Sequence, residues 1–158
     1  MIGNVARVDR MKDHATLIDA LMTVARSHGS THFLLAGANV ELGTPVFTKL
    51  LAAPEMTGRF HLLGVRRDVP DLLAALDLYV QSSAFGEGFP NVVAEAMASA
   101  VPAIVTNVGD AALIVDDSDR VVTPRNSLKL AAANENFLSQ PWKIRTAIGQ
   151  RDREKNCQ

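Results

Sequence analysis

The sequence predicts a Rossmann-like α/β fold, a doubly wound and mainly parallel sheet of about six strands with helices on both faces. Two observations predict it. Short apolar runs alternate with amphipathic segments from one end of the 158-residue chain to the other. The apolar runs are also continuous, as in HFLLAG (32–37) and PAIVT (102–106). Parallel strands buried on both faces read this way, and the amphipathic segments between them supply the crossovers such strands need.

Taken in order, IGNVA (2–6) is a first strand, followed by the helix HATLIDALMTVARSHG. Leu17, Ile18, Leu21, Val24 and Ala25 fall on one face of that helix, and Asp13 caps it. HFLLAG is a second strand ending at Gly37, VFTKLLAA (46–53) a helix, and RFHLLG (59–64) a third strand. VPDLLAAL (69–76) is a short helix that Pro70 can begin, and LDLYVQSS (76–83) a fourth strand. A helix follows Pro90, then the strand PAIVT, a short AALIV segment, a small RVV strand, and helical stretches near 127–139 and 142–154. The polar end RDREKNCQ (151–158) reads as a disordered tail. In a sheet of this kind ligands settle beyond the carboxyl ends of the strands, so the loops after residues 6, 37, 64, 83 and 106 are the ones to watch.

Length and composition bound the function. The chain suits a single domain. With 47% hydrophobic and 21% charged residues it is a folding, globular sequence. Sixteen basic against 17 acidic residues leave a charge of −1, which gives no reason to expect nucleic acid or an anionic membrane as partner. A lone cysteine, Cys157, excludes an internal disulfide and fits a reducing, cytoplasmic setting. The opening MIGNVARVDRMKD is too charged for a signal peptide, and no apolar stretch is long enough to cross a bilayer. There is no GxGxxG fingerprint, no GxxxxGK[ST] loop and no internal repeat.

The segment FGEGFPNVVAEAM (85–97) carries the chemistry. Pro90 suits the first position of a helix, and Asn91, Val92 and Val93 would then offer free backbone N–H groups at a strand end. A helix entrance of this kind seats phosphate. Gly86 and Gly88 let the backbone approach a ligand, while Glu87 precedes the helix and Glu95 lies about a turn inside it. Carboxylates accept hydrogen bonds in pairs and can hold vicinal sugar hydroxyls, and an activated sugar has a ring on each side of its diphosphate. One glutamate per ring accounts for the spacing. The acids could also be solvated charges at a helix start. Glycoside hydrolysis is disfavoured, because it needs both carboxyls at one bond.

Glu, seven residues and Glu, set in EGFPNVVAEAMASAVPA, resembles the signature of the retaining, nucleotide-sugar-dependent glycosyltransferases of the two-Rossmann-domain (GT-B) class, glycosyl transferases group 1. ARVDRMKD resembles that family's loop after the first strand of its carboxyl-terminal half, LLAGA the loop after the second, and LLGVRRDVPDLLAALDLYVQSS and TNVGDAALIV later segments. The resemblance implies Arg7 and Lys12 on the donor diphosphate, Glu87 on the donor hexose, and Gly64, Val65 and Arg66 against the nucleobase. It also implies Gly88, Phe89, Pro90, Asn91 and Val92 around the phosphates or hexose, and Glu95 on the ribose. The implied donor is an NDP-sugar, UDP- or GDP-hexose, with neither a metal nor a prosthetic group.

Ala6, Ala100 and Asp119 stand where the family has glycine, so a positive φ at either alanine would carry a steric cost. The resemblance implies only the donor half of a two-domain enzyme. The acceptor domain would be its partner, and transfer by this chain alone is not expected. Self-association through apolar surface left uncovered near Trp142 is expected, and the resemblance leaves room for peripheral attachment of a full-length enzyme to the cytoplasmic face of a membrane. A non-catalytic nucleotide-sugar-binding module stays open on the residues alone, as, more distantly, does an epimerase-like domain. His14, His28, His32 and His61 have no metal-ligand spacing and read as helix-end or strand-edge residues. Ser82, Ser83 and Thr106 read as hydrogen-bond donors, and Met22, Met56 and Met97 as core filler.

Overall fold

The computed structural model describes residues 1–53, 56 and 58–156. Six strands, β1 (Ile2–Val5), β2 (Phe33–Ala36), β3 (Phe60–Leu62), β4 (Leu78–Gln81), β5 (Ala103–Thr106) and β6 (Val121–Val122), form one sheet. Its order is β3-β2-β1-β4-β5-β6 and every pairing is parallel. The continuous apolar runs are explained by the pleat, since successive side chains leave opposite faces and both faces are buried. Phe33 and Leu35 enter one core while Leu34 enters the other, and Leu78 and Val80 oppose Tyr79 in the same way.

Helix α1 (His14–Ser27) packs Leu17, Ile18 and Leu21 onto the first face, joined by Leu130 and Phe137 of α6 (Ser127–Ser139). Asp13 caps α1 as expected, its carboxylate accepting from the Thr16 amide at 3.2 Å and hydroxyl at 2.7 Å. The second face is covered by α3 (Val69–Ala74), α4 (Asn91–Ala98) and α5 (Ala111–Val115), through Leu73, Val93, Met97 and Val115. Each such large side chain contributes about 1.5–3 kcal/mol through removal from water. Met22, Met56 and Met97 are all buried, as expected of core filler.

Three local readings change. The segment 46–53 is not one helix: a 3-10 turn (Pro45–Phe47) leads into a single turn, α2 (Thr48–Leu51). The Thr48 hydroxyl donates back to the Pro45 carbonyl at 2.8 Å, which tightens the chain there. Pro90 is the cap rather than the first residue of α4. The polar tail is largely helix, because α7 (Trp142–Asn156) runs on through residues 151–156, leaving Cys157 and Gln158 outside the described residues. Asp152 is fully buried there and takes both terminal nitrogens of Arg120, at 2.5 and 2.9 Å. Arg120 comes from a 3-10 turn (Ser118–Arg120) before β6, so nothing in the tail's own composition announces its partner.

α7 lies close against α4. A Cβ on Gly149 would sit 2.1 Å from the Ala100 carbonyl, so only glycine permits this approach. Ala100 itself holds φ 61, whereas Ala6 and Asp119 do not have positive φ. Of the three positions where glycine was expected, only Ala100 is strained. Trp142 is 65% exposed and Ile144 51%, so this end of α7 does present apolar surface. Among the described residues no helix is long and apolar enough to cross a membrane.

Candidate functional site

The strand order reverses between β1 and β4. The crossover from β1 leaves through α1 on one face and the crossover from β4 through α4 on the other, which opens a crevice beyond the carboxyl ends of these two strands. A cavity of about 210 Å³ lies there. Its floor is Asn4 and Val5 of β1 with Ala6 just after it, and Tyr79 and Gln81 of β4 with Ser82 and Ser83 just after it, and its walls are Lys12, Glu87 and Phe89 to Val92.

The loop after β1 is shaped by Asp9, whose carboxylate accepts from the Met11 amide at 2.8 Å. That bond, aided by Arg7, holds the Asp9 carboxyl below its ordinary range. The end of β4 fastens the same loop, because the Ser82 hydroxyl donates to the Lys12 carbonyl and the Ala84 amide to the Met11 carbonyl, both at 2.7 Å. Lys12 is thereby carried to Glu87 and donates to its Oε1. The Ser83 hydroxyl donates to the same oxygen, and the Glu87 side chain is only 7% exposed. Serines 82 and 83 and Thr106 are the hydrogen-bond donors expected, Thr106 donating to the Ser83 carbonyl at 2.6 Å.

The entrance to α4 forms the opposite wall. Among the described residues, the amides of Asn91 and Val92 have no protein acceptor. Val93, expected to be free, instead donates to the Pro90 carbonyl at 2.9 Å because the first turn is tight. Two unused N–H groups, the helix dipole and the Lys12 ammonium give this wall positive potential suited to an anion. The Gly88 carbonyl turns away to accept from the Asp110 amide at 3.1 Å.

The structure gathers Lys12, Glu87, Phe89, Pro90, Asn91 and Val92 around one cavity. The other singled-out residues stand apart. Arg7 is exposed and lies 3.5 Å from Asp9, at the rim. Glu95 is on the exposed side of α4. Gly64, Val65 and Arg66 follow β3, at the far edge of the sheet; Gly64 has φ 62, its amide donates to the Val40 carbonyl, and Arg66 pairs with Asp68. That pairing raises the Arg66 pKa and lowers that of Asp68.

Asn4, Gln81, Tyr79 and Gly109 also shape the cavity, although no motif marks them. Asn4 and Gln81 are buried amides inside apolar strand runs, and Oδ1 of the first and Oε1 of the second have no partner among the described residues. Their polarity within IGNVA and LDLYVQSS was the available signal. Burial pushes the Tyr79 phenol well above its ordinary pKa, so it remains a donor, 3.5 Å from the Val5 carbonyl. Gly109, at φ 58, is what lets the loop after β5 approach; a Cβ there would meet the Glu87 and Gly88 carbonyls at 2.4 and 2.5 Å. Among the described residues, no three His, Cys, Asp or Glu side chains converge to hold a metal ion.

Residues 1–140, from β1 through α6, match the family model described as glycosyl transferases group 1. Over 71 residues the chain is 35% identical to the UDP-Gal:alpha-D-GlcNAc-diphosphoundecaprenol alpha-1,3-galactosyltransferase of Escherichia coli, covering 44% of this chain and 18% of that protein. HepE of Anabaena, solved in complex with UDP and glucose, superposes with a TM-score of 0.80 at 26% identity, over 98% of this chain and 42% of HepE. The C-terminal domain of the group 1 glycosyl transferase LpcC from Francisella tularensis shares the fold, with a TM-score of 0.85 at 23% identity over 97% of this chain and 82% of that domain. The chain thus spans less than half the length of the Escherichia coli and Anabaena proteins. With the family model matched across nearly all of its elements and the site at the switch point of the sheet, this chain belongs to the glycosyl transferases group 1 family.

Proposed function

We propose that the chain is the donor-binding half of a retaining, metal-independent glycosyltransferase that moves a hexose from an NDP-sugar to an acceptor. The observation that carries this reading is the convergence of Lys12, Glu87 and the free amides of Asn91 and Val92 on one cavity at the switch point. The amides and Lys12 take the diphosphate, and Arg7 reaches it by leaving Asp9. Glu87 accepts from hydroxyls of the hexose, Glu95 from those of the ribose, and the Gly64 to Arg66 turn flanks the base. When the bond from the hexose C1 to the diphosphate oxygen breaks, both electrons leave with the diphosphate. The α4 entrance and the two cations meet that charge, which is the role a metal would otherwise fill. An acceptor hydroxyl supplies the new oxygen to C1 and gives its proton to the departing diphosphate oxygen.

The acceptor is held by a second domain, so transfer requires that domain while donor binding does not. A cytoplasmic setting, and a part in polysaccharide assembly, accord with this reading. The names of the similar proteins cite UDP and UDP-Gal, which makes the uridine series the first to test. Calorimetric titration of the chain with UDP, GDP, ADP and their hexose conjugates is the experiment. Binding of one series, weakened at least about tenfold in Lys12→Ala and lost in Glu95→Ala, is expected. A folded chain that binds none of them, alone or with an amino-terminal half supplied, refutes the assignment. Binding without transfer in that reconstituted pair favours a non-catalytic binding module.

A further inference from the structure

Glu87 faces the cavity with its two oxygens in different circumstances. Oε1 accepts from both Lys12 Nζ and Ser83 Oγ, whereas Oε2 has no protein donor among the described residues. Behind Ser83 lies Gln81, whose Nε2 donates to the Ser83 oxygen at 3.2 Å. Both residues are buried, Ser83 completely. A serine hydroxyl has a single proton. With its oxygen already accepting from Gln81, that proton is committed to Glu87, and the chain of bonds runs one way, from amide to hydroxyl to carboxylate. The backbone of Ser83 is held too, since its carbonyl accepts from Thr106.

The geometry points to Ser83 and Gln81 as positioning residues that aim Glu87 at the sugar of the donor, an inference that rests on the proposed function. Lys12 cannot do this alone, because it is claimed twice. It pairs with Glu87 in the structure, and a diphosphate at the α4 entrance would draw it toward a doubly charged anion. Glu87 then loses its counter-ion just when it must hold a hexose. Ser83 keeps Oε1 occupied through that exchange, so the carboxylate does not rotate and Oε2 stays aimed at a sugar hydroxyl. Gln81 fixes which way the Ser83 proton points. The pair therefore bears on recognition of the hexose and not on recognition of the nucleotide.

That division supplies the test. Affinities of the chain for UDP and UDP-glucose, and for GDP and GDP-mannose, are measured by calorimetry for the native sequence, Ser83→Ala and Gln81→Met. The second variant is close in length and uncharged but has no N–H to donate, so the Ser83 oxygen loses the bond that orients its proton toward Glu87. In the series that the native chain binds, the free nucleoside diphosphate should keep its affinity to within about twofold. The sugar conjugate should weaken on the order of tenfold in both variants, as for loss of a hydrogen bond to a charged group. Ser83→Thr, which retains the hydroxyl, should restore the conjugate. Equal weakening of both ligands, or of neither, in the two variants overturns the relay while leaving the donor-site reading intact. Failure of the folded native chain to bind any of the UDP, GDP or ADP series, alone and with an amino-terminal half supplied, overturns both.

Discussion

Replacing Asp152 with alanine removes a fully buried carboxylate that holds Arg120, itself only 4% exposed. Both terminal nitrogens of the guanidinium lose their carboxylate acceptors, at 2.5 and 2.9 Å. What remains is Nε to Asp117 at 3.1 Å and a long contact to the Ala103 carbonyl at 3.5 Å. Breaking a buried ion pair from one side costs roughly 3–5 kcal/mol, because the other charge stays in a poor dielectric. Asp117 is partly solvated and still beside Arg120, which sets the expectation at the lower end, about 3 kcal/mol. For a chain of this size that is a fall in Tm of roughly 6–12 °C. Urea titration followed by circular dichroism checks it, with an unchanged slope showing that the unfolded state is not what moved. The paired change Arg120→Met with Asp152→Leu should recover most of the loss, since it leaves no orphaned charge. A loss under about 1 kcal/mol for Asp152→Ala would refute the reasoning. It would mean that the last turns of α7 leave the sheet in solution, as the polarity of RDREKN suggests when read alone.

Three further outcomes are expected. His14 is buried with neither ring nitrogen in a hydrogen bond of normal geometry among the described residues, and burial lowers its pKa from 6.5 to about 4, the Ala6 carbonyl offsetting only part of this. The unfolded chain therefore binds a proton that the folded chain refuses, so this stability is present above pH 6.5 and is lost as pH falls toward 4. About 1.5 kcal/mol should go between pH 6.5 and 5, and His14→Leu should flatten that slope; equal slopes would count against it. Ala100→Gly should stabilise the chain by about 1 kcal/mol, measured by thermal melting, because it relieves a left-handed φ at a residue with a Cβ. Gly109→Ala should lower stability by at least about 2 kcal/mol and weaken nucleotide-sugar binding, since the new methyl displaces the carbonyls of Glu87 and Gly88; unchanged melting and titration would show that the loop has room.

The layered sheet was legible in the amino-acid order alone, because continuous apolar runs separated by amphipathic segments admit few other arrangements. The helix entrance suited to an anion was legible as well, since GEGFPNVV places a proline, two glycines and a glutamate within a few residues, where the chemistry is local. Local capping was equally legible, as Asp13 shows. Only tertiary structure decided which of the singled-out residues share a cavity: Lys12 and Glu87 meet across 75 residues, while Arg7, Glu95 and the turn at Gly64 stay outside it. It likewise decided that the amides of Asn4 and Gln81 line that cavity, and that Asp152 belongs to the core of the fold and not to a tail. The physical reason is common to these cases. Propensity, capping and hydrophobic period act over a few residues and are written in neighbouring letters, whereas a buried polar group is satisfied by whichever partner the packing of distant elements brings within 3 Å.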